Sequence, residues 1–294
     1  MKTIKKMTAI LLCLALILAL AACGSFEQRM VKAAAKMEKL KSYHMDLDVN
    51  MAFTLSMLGQ SMDMDMAVRT ATDLRNDPLQ ARSVMTADML GTTSEVTTYV
   101  FAGEKEGTFD TYVTLDDGES WGTGTIDSEE LNDQLSLNSN LMWSADFLRD
   151  AAKTFEEIGK EEINGSQATR YDGVIEGEAV GKALEASGVF NSLGEAFPVD
   201  MMEIVNQISG SIPVSLWADD KSDMIVRYDM DMTEAFSSVW DVVLEQLMND
   251  EAIDAEDIAE LGMTMDLKLL SLSAVFSDFD AVGEIVLPEA AKAA

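Results

Sequence analysis

Residues 43–74 read YHMDLDVNMAFTLSMLGQSMDMDMAVRTATDL, with apolar side chains at every second position on both sides of Gly59. A period of two over this length indicates half-buried strands, because only a strand turns successive side chains to opposite faces. Gly59-Gln60 suits a two-residue turn with glycine first, which predicts a hairpin with Met57 opposite Met62. Strands of about 14 residues greatly exceed the usual five or six, so we expect a large, curved antiparallel sheet.

One face of this hairpin is predicted to be an apolar wall rich in methionine. Its members are Met45, Met51, Phe53, Leu55, Met57, Met62, Met64 and Met66. Methionine is over-used where a surface must accommodate varied apolar partners, so these residues are candidates for the wall of a ligand cavity. The alternative is simple core packing beneath helices from later in the chain. The residues alone leave both interpretations open.

The opposite face of the hairpin is predicted to be acidic, with Asp46, Asp48, Asp63, Asp65 and Asp73. The predicted register puts Asp46 across from Asp73, a destabilising pair of like charges unless the strands fray or a cation intervenes. Calcium is one explanation, since hard cations need several oxygens, and a solvated acidic face is the other. A calcium-loop-like spacing from Asp278 to Glu289 has Val282 at a ligand position and is attributed to chance. We therefore expect no bound metal and no other cofactor.

The first 22 residues are predicted to be a secretory signal. Lys2, Lys5 and Lys6 precede an apolar run that is too short to span a membrane. The run ends in Leu20-Ala21-Ala22-Cys23-Gly24, which resembles the lipobox of bacterial lipoproteins at every position. The resemblance implies that Cys23 becomes a lipidated N-terminus and that two acyl chains anchor the protein to the extracytoplasmic face of the cell membrane. The alternative is an ordinary cleaved signal with a chance cysteine.

The charge of the chain excludes one class of partner. The net charge is −31, and loss of the three lysines in residues 1–22 leaves −34. A surface of this kind repels nucleic acid and anionic lipid headgroups, and it favours solubility. Nucleic-acid binding is therefore not expected.

The residues needed for common catalytic sites are missing from the sequence. His44 is the only histidine, and removal of Cys13 with the signal leaves Cys23 as the only cysteine. No Ser-His-Asp or Cys-His arrangement, histidine-rich zinc site or internal disulfide can form from these. Carboxylates are abundant, but nothing singles out a catalytic pair. We expect no catalytic residue and no enzyme.

The rest of the chain alternates between strand-like and helical patterns. Apolar spacing predicts a helix from Phe26 to Leu40, only three residues after Cys23. Strand patterns follow at 79–90, 95–102, 108–115, 168–175, 212–218, 224–232 and 263–276, with a hairpin turn at Asn164-Gly165. Helical patterns occur at 129–136, 145–158 (stopped by Gly159), 178–190, 199–208 and 233–249. No linker divides them, so we predict an α+β protein with a signal at 1–22, a tether at 23–25 and one domain at 26–294.

Several of these features together resemble a known family. They are the lipobox, the N-terminal helix, the Ser42-Tyr43-His44-Met45-Asp46 strand start, Trp121 after a hairpin, the Asn164-Gly165 hairpin and the closing segment 284–290. The pattern resembles the LolA/LppX-like lipoprotein-carrier superfamily, and within it the uncharacterised Gram-positive lipoproteins of that fold. The resemblance implies a half-barrel sheet with helices packed on its concave face and an apolar cavity between them. It also implies binding without catalysis.

The functional expectation is a membrane-anchored extracytoplasmic lipoprotein that binds an apolar or amphiphilic, lipid-like ligand. The competing hypothesis is an envelope sensor or scaffold that acts through protein–protein contacts and fills its cavity with its own side chains. The sequence identifies neither the ligand nor a protein partner.

Overall fold

The computed structural model describes residues 26–37, 39–116, 118–128, 131, 154–179, 181, 208–237, 239 and 264–293. The signal, Cys23 and the tether lie outside these residues. The assignments of the signal, the lipidation site and the single domain therefore remain predictions.

Eleven strands and one long helix dominate the described part of the chain. Helix α1 spans Phe26–Met37. The strands are β1 (Ser42–Met57), β2 (Gln60–Asn76), β3 (Leu79–Met89), β4 (Thr92–Ala102), β5 (Thr108–Thr114), β6 (Gly122–Asp127), β7 (Glu156–Ile163), β8 (Ser166–Glu176), β9 (Ser211–Asp219), β10 (Ile225–Asp231) and β11 (Thr264–Ser277). A short helix α2 (Thr233–Phe236) follows β10, and a 3₁₀ turn spans Ala291–Ala293.

All eleven strands belong to one antiparallel sheet with the order β6-β5-β4-β3-β2-β1-β11-β10-β9-β8-β7. The order has two free ends, β6 and β7, so the sheet is not closed into a barrel. The first and last strands pair at its centre, from His44 opposite Ser277 to Ser56 opposite Thr264. The predicted α+β class with a large antiparallel sheet is confirmed, and an open sheet of this size is consistent with the half-barrel.

Helix α1 packs on the apolar face of the sheet. Met30, Ala33 and Ala34 are buried, and they share the main core with Met45 of β1 and with apolar residues of β8 to β11. Val31, placed on the apolar stripe by its spacing, is instead exposed. A second, smaller core joins Leu74, Ala81, Val100, Ile126 and Leu131 across β2 to β6. The two cores lie at the end of the sheet where β1 begins.

The register of the β1–β2 hairpin differs from the prediction by two residues. Met57 lies opposite Gln60, and the turn residues are Leu58 and Gly59, with φ of 54° and 74°. Both turn residues thus have positive φ, as a type I′ turn requires, whereas the predicted Gly59-Gln60 turn needs it only at the glycine. A slip of two residues keeps every side chain on its predicted face. The pairings are therefore wrong, but the two faces are right.

The predicted end of the 145–158 helix is also wrong. Residues 156–163 form β7, and Gly159 is an extended residue in an irregular pairing with β8. Ile158 is exposed, so it does not belong to a buried helical stripe. The Asn164-Gly165 turn is confirmed, and pairing through that turn determines the structure of the segment before it. The remaining predicted helices lie mostly outside the described residues.

Candidate functional site: the methionine face

The eight residues predicted as a cavity wall share one face of the β1–β2 hairpin. Met51 lies opposite Met66, Phe53 opposite Met64, and Leu55 opposite Met62. Directly opposed side chains of an antiparallel pair lie on the same face, so these rows form one apolar surface. We call this surface the methionine face and define it as Met45, Met51, Phe53, Leu55, Met57, Met62, Met64 and Met66.

The methionine face is closed at one end and open at the other. Met45 is 2% exposed and packs in the main core with α1, as the core-packing alternative expects at this position. The middle of the face is half-buried, at Met51, Phe53, Leu55, Met64 and Met66. Near the turn, Met57 and Met62 are 41% and 52% exposed. The thioethers at this end are accessible to another molecule.

Strand β3 extends the methionine face by two residues that the sequence analysis did not single out, Met85 and Met89. Met89 lies level with Met51, at the start of the open end, and Met85 lies level with Leu47, further toward the closed end. Met85 lies opposite Thr70, and Met89 lies opposite Met66, so both belong to the same side of the sheet. They are 38% and 50% exposed. The two methionines could have been assigned to one face from the sequence, because Met85, Ala87 and Met89 alternate along a single strand.

The opposite face carries the five predicted aspartates, but not in the predicted pairs. His44, rather than Asp46, lies opposite Asp73. Its Nδ1 is 2.7 Å from Asp73 Oδ1 and its Nε2 is 3.2 Å from Asp46 Oδ1. Partial burial disfavours the charged ring, yet the hydrogen bonds with the two carboxylates outweigh it and raise the pKa of His44. The expected Asp46–Asp73 repulsion is therefore wrong, because the histidine lies between the two acids.

Arg69 offsets the negative charge of a further part of the acidic face. Its Nε is 3.5 Å from Asp48 Oδ1, and its Nη1 donates a hydrogen bond to Asp88 Oδ2 at 3.1 Å. Across the described ranges, no three His, Cys, Asp or Glu side chains are grouped closely enough to hold a metal ion. The acidic face is thus partly neutralised by cations of the chain itself.

A groove of about 520 Å³ crosses the acidic side of β8 to β11. Two Arg-Tyr-Asp repeats, 170–172 and 227–229, flank it on either side of Trp217. The guanidinium carbons lie 5.1 Å and 4.8 Å from the Trp217 ring centre, and each arginine donates two hydrogen bonds to the aspartate of its own repeat. The repeat was visible in the sequence but was not singled out. The arginine and aspartate charges of each repeat are thus paired within their own strand.

A smaller cavity of about 340 Å³ lies on the acidic side of the sheet, behind part of the methionine face. Met51, Met66 and Met89 are among its lining residues. The alternation of side chains assigns most of the others to the acidic side: Asn50, Ala52, Asp65, Ala67, Asp88 and Leu269. The short side chains of Ala52 and Ala67 account for the hollow. The methionine thioethers are thus exposed on the opposite surface, outside this cavity.

A cluster of charges ties α1 to the turn between β9 and β10. Arg29 donates hydrogen bonds to Tyr171 Oη at 2.8 Å and to Asp220 Oδ1 at 3.1 Å. Burial alone would raise the pKa of Asp220, but hydrogen bonds from Lys160, Thr169 and Arg29 lower it to about 2. A cavity of about 750 Å³ beside this cluster is lined by equal numbers of cations and acids, together with aromatic rings. The cluster fixes α1 against the sheet.

Part of the chain matches a family of unknown function, DUF6612, over residues 25–121, about a third of its length. No curated protein sequence matches it. None of the helices in the described segments combines the length and the apolar character needed to cross a membrane.

Solved structures with a similar chain course include a lipoprotein. The lipoprotein LppX from Mycobacterium tuberculosis is 16% identical, with 89% of this chain and 98% of that chain covered and a TM-score of 0.41. LprF from Mycobacterium bovis is 15% identical, with coverage of 91% and 100% and a TM-score of 0.47. A putative outer membrane lipoprotein-sorting protein domain from Vibrio parahaemolyticus is 10% identical, with coverage of 88% and 95% and a TM-score of 0.19.

Proposed function

We propose that this chain is a membrane-anchored, extracytoplasmic lipoprotein that binds an apolar or amphiphilic, lipid-like molecule on the methionine face without catalysing a reaction. The observation that carries the proposal is the open end of that face, where Met57, Met62 and Met89 are 41% to 52% exposed. Contiguous exposed apolar surface marks sites of contact with ligands, membranes or other proteins. Methionine adds an adaptable, polarisable surface that suits chains of variable shape.

The position of the anchor supports exchange of a ligand with the membrane. Phe26, the first residue of α1, is three residues from Cys23, so the tether spans about 10 Å at most. Arg29 ties α1 to the sheet, so the helix that follows the tether and the methionine face are packed together. The domain is thereby held close to the bilayer, where amphiphiles are concentrated.

The charge of the protein narrows the class of ligand. A net charge of −34 after loss of the signal repels anionic headgroups. Neutral and cationic amphiphiles are therefore the preferred ligands.

The closed end of the methionine face favours the sensor or scaffold hypothesis. Met45 is 2% exposed and packs in the main core with α1, as that hypothesis expects at this position. A ligand would then contact only the part of the face between Met51 and the hairpin turn.

The test is binding of Nile red, a neutral apolar fluorophore that the protein charge does not repel, to residues 24–294. Changing Met62 and Met89 to Gln places polar amides on the methionine face at exposed positions. We expect affinity to fall about tenfold, because each methionine loses apolar contact with the probe. The matched control changes Ser61 and Thr93, their neighbours on the acidic face, to Gln and should bind as the parent does. Equal affinities for both double variants would contradict the proposal.

A further inference from the structure

The methionine face presents oxidisable sulfur at the surface. Three accessible thioethers, at Met57, Met62 and Met89, lie at its open end, and a fourth, Met85, lies on the same side of β3 level with Leu47. Other methionines are shielded in the main core, with Met30 at 0% and Met45 at 2% exposure. Susceptibility to oxidation follows exposure, so the chain contains both reactive methionines and internal references that should resist.

We propose that these four methionines form a reversible oxidation site through which a hydroperoxide switches off binding of the apolar ligand. The inference rests on the proposed function, since it concerns the affinity of the same face. A surface made adaptable by thioethers is made polar by sulfoxides, and four of the residues that give the face its apolar character are 38% to 52% exposed.

The chemical step is a two-electron oxygen transfer. A lone pair of the methionine sulfur attacks the outer oxygen of the hydroperoxide, the O–O bond breaks, and a proton shift releases the alcohol, or water when the oxidant is hydrogen peroxide. The sulfur is oxidised to a sulfoxide and the peroxide is reduced. Methionine sulfoxide reductases reverse the change with a dithiol as the reductant: the sulfoxide returns to the thioether, its oxygen leaves as water, and the dithiol is oxidised to a disulfide. No residue of the chain has to act as a catalyst.

The position of the four residues explains why oxidation should act on binding rather than on folding. Each side chain is already partly in water, so a polar S=O group there does not have to be buried. The half-buried members behind them, Met51, Met64 and Met66, keep the sheet packed. The apolar entrance of the face is lost while the structure beneath it remains.

The experiment uses the full chain in membrane vesicles and a photoactivatable diacylglycerol analogue, a neutral lipid, as the probe. Vesicles are treated with hydrogen peroxide, illuminated, and digested, and mass spectrometry reports both the sulfoxide at each methionine and the analogue attached to β1, β2 and β3. We expect sulfoxide to form at Met62 and Met89 well before Met30 and Met45. Capture of the analogue should fall about tenfold as the four exposed sites fill, and added reductase should restore it.

A variant with leucine at Met57, Met62, Met85 and Met89 separates oxidation from loss of apolar surface. Leucine preserves volume and apolar character but cannot form a sulfoxide. Capture by this variant before treatment is its own reference, and peroxide should leave that capture unchanged because no sulfoxide can form at the four positions. Equal sensitivity of parent and variant, or equal oxidation rates at exposed and buried sites, would overturn the inference. If the parent captures the analogue and peroxide does not change that capture, the inference fails and the proposed function stands. If the untreated parent captures no analogue, the proposed function fails as well.

Discussion

His44 lies directly opposite Asp73 in the central hairpin, with 2.7 Å between His44 Nδ1 and Asp73 Oδ1. A second carboxylate, Asp46, is 3.2 Å from Nε2, so the charged ring donates to both acids. The raised pKa of His44 means that the folded protein binds this proton more tightly than the unfolded chain does. The pair thus links stability to pH.

We predict that His44→Gln lowers the free energy of unfolding at acidic but not at alkaline pH. The contribution of the charged ring is complete below the unfolded pKa of 6.5 and is lost as pH rises through the raised folded pKa. Because the ring is partly exposed, the loss should be about 1 kcal/mol. Urea unfolding from pH 5.5 to 9 measures the difference in unfolding free energy between the parent and His44→Gln. The same substitution made in an Asp73→Asn background should give a smaller difference. A gap between parent and variant that does not change with pH would show that the ring acts through packing alone.

Asp220→Asn is predicted to loosen the attachment of α1. The variant loses charged hydrogen bonds with Arg29 and Lys160, at a cost of about 1–3 kcal/mol near neutral pH. Since the folded pKa of Asp220 is lowered to about 2, this contribution is present above the unfolded value of 3.8 and disappears as pH falls through 2. Denaturant unfolding between pH 7 and 2 measures it. Asp65→Asn, on the exposed acidic face, is the control, and an equal loss there would rule out a specific role for the cluster.

Cys23→Ser is predicted to release the protein from the membrane. The complete lipobox around Cys23 motivates this expectation, and two acyl chains on the cysteine would supply the anchor. Fractionation of cells and medium, with mass spectrometry to establish whether residues 1–22 have been removed, measures the outcome. A variant that loses the signal and still remains in detergent-extractable membranes contradicts the lipoprotein assignment.

Tryptophan substitutions should distinguish the closed and open ends of the methionine face. Met45→Trp overfills a packed core and should cost about 1–3 kcal/mol. Met66→Trp occupies a half-buried position and should cost less than about 1 kcal/mol, because the indole can extend over the open surface. Thermal and urea unfolding compare the two variants directly. Similar large losses at both positions would favour the filled-core hypothesis over ligand binding.

The two faces of the hairpin were predictable, but its pairs were not. Alternation assigns Met51 and Met66 to one face whatever the register, because a slip of two residues preserves the face. The register itself depends on whether Leu58 accepts a positive φ, and the sequence does not reveal that. The prediction therefore located the methionine face correctly while mistaking the partner of Asp73.

Contacts between distant segments set the limit of prediction elsewhere. Nothing in the sequence of β1 identifies β11 as its neighbour, more than 200 residues away. The salt bridge between Arg29 and Asp220 likewise depends on the assembled sheet. Gly159 followed the strand pairing imposed by the Asn164-Gly165 hairpin rather than its local helical spacing. Local patterns thus predicted the individual strands, and tertiary pairing decided their arrangement.

The pairing of β1 with β11 has a consequence for the order of folding. As the chain is made from its N-terminus, β1 can pair at once with β2, but its other edge stays unpaired until residues 264–277 are available. During that interval the longest apolar strands of the protein present an unpaired edge, which is a template for aggregation. Closing so long a loop is slow compared with forming a hairpin. The nascent protein therefore depends on protection of β1 until its last strand arrives.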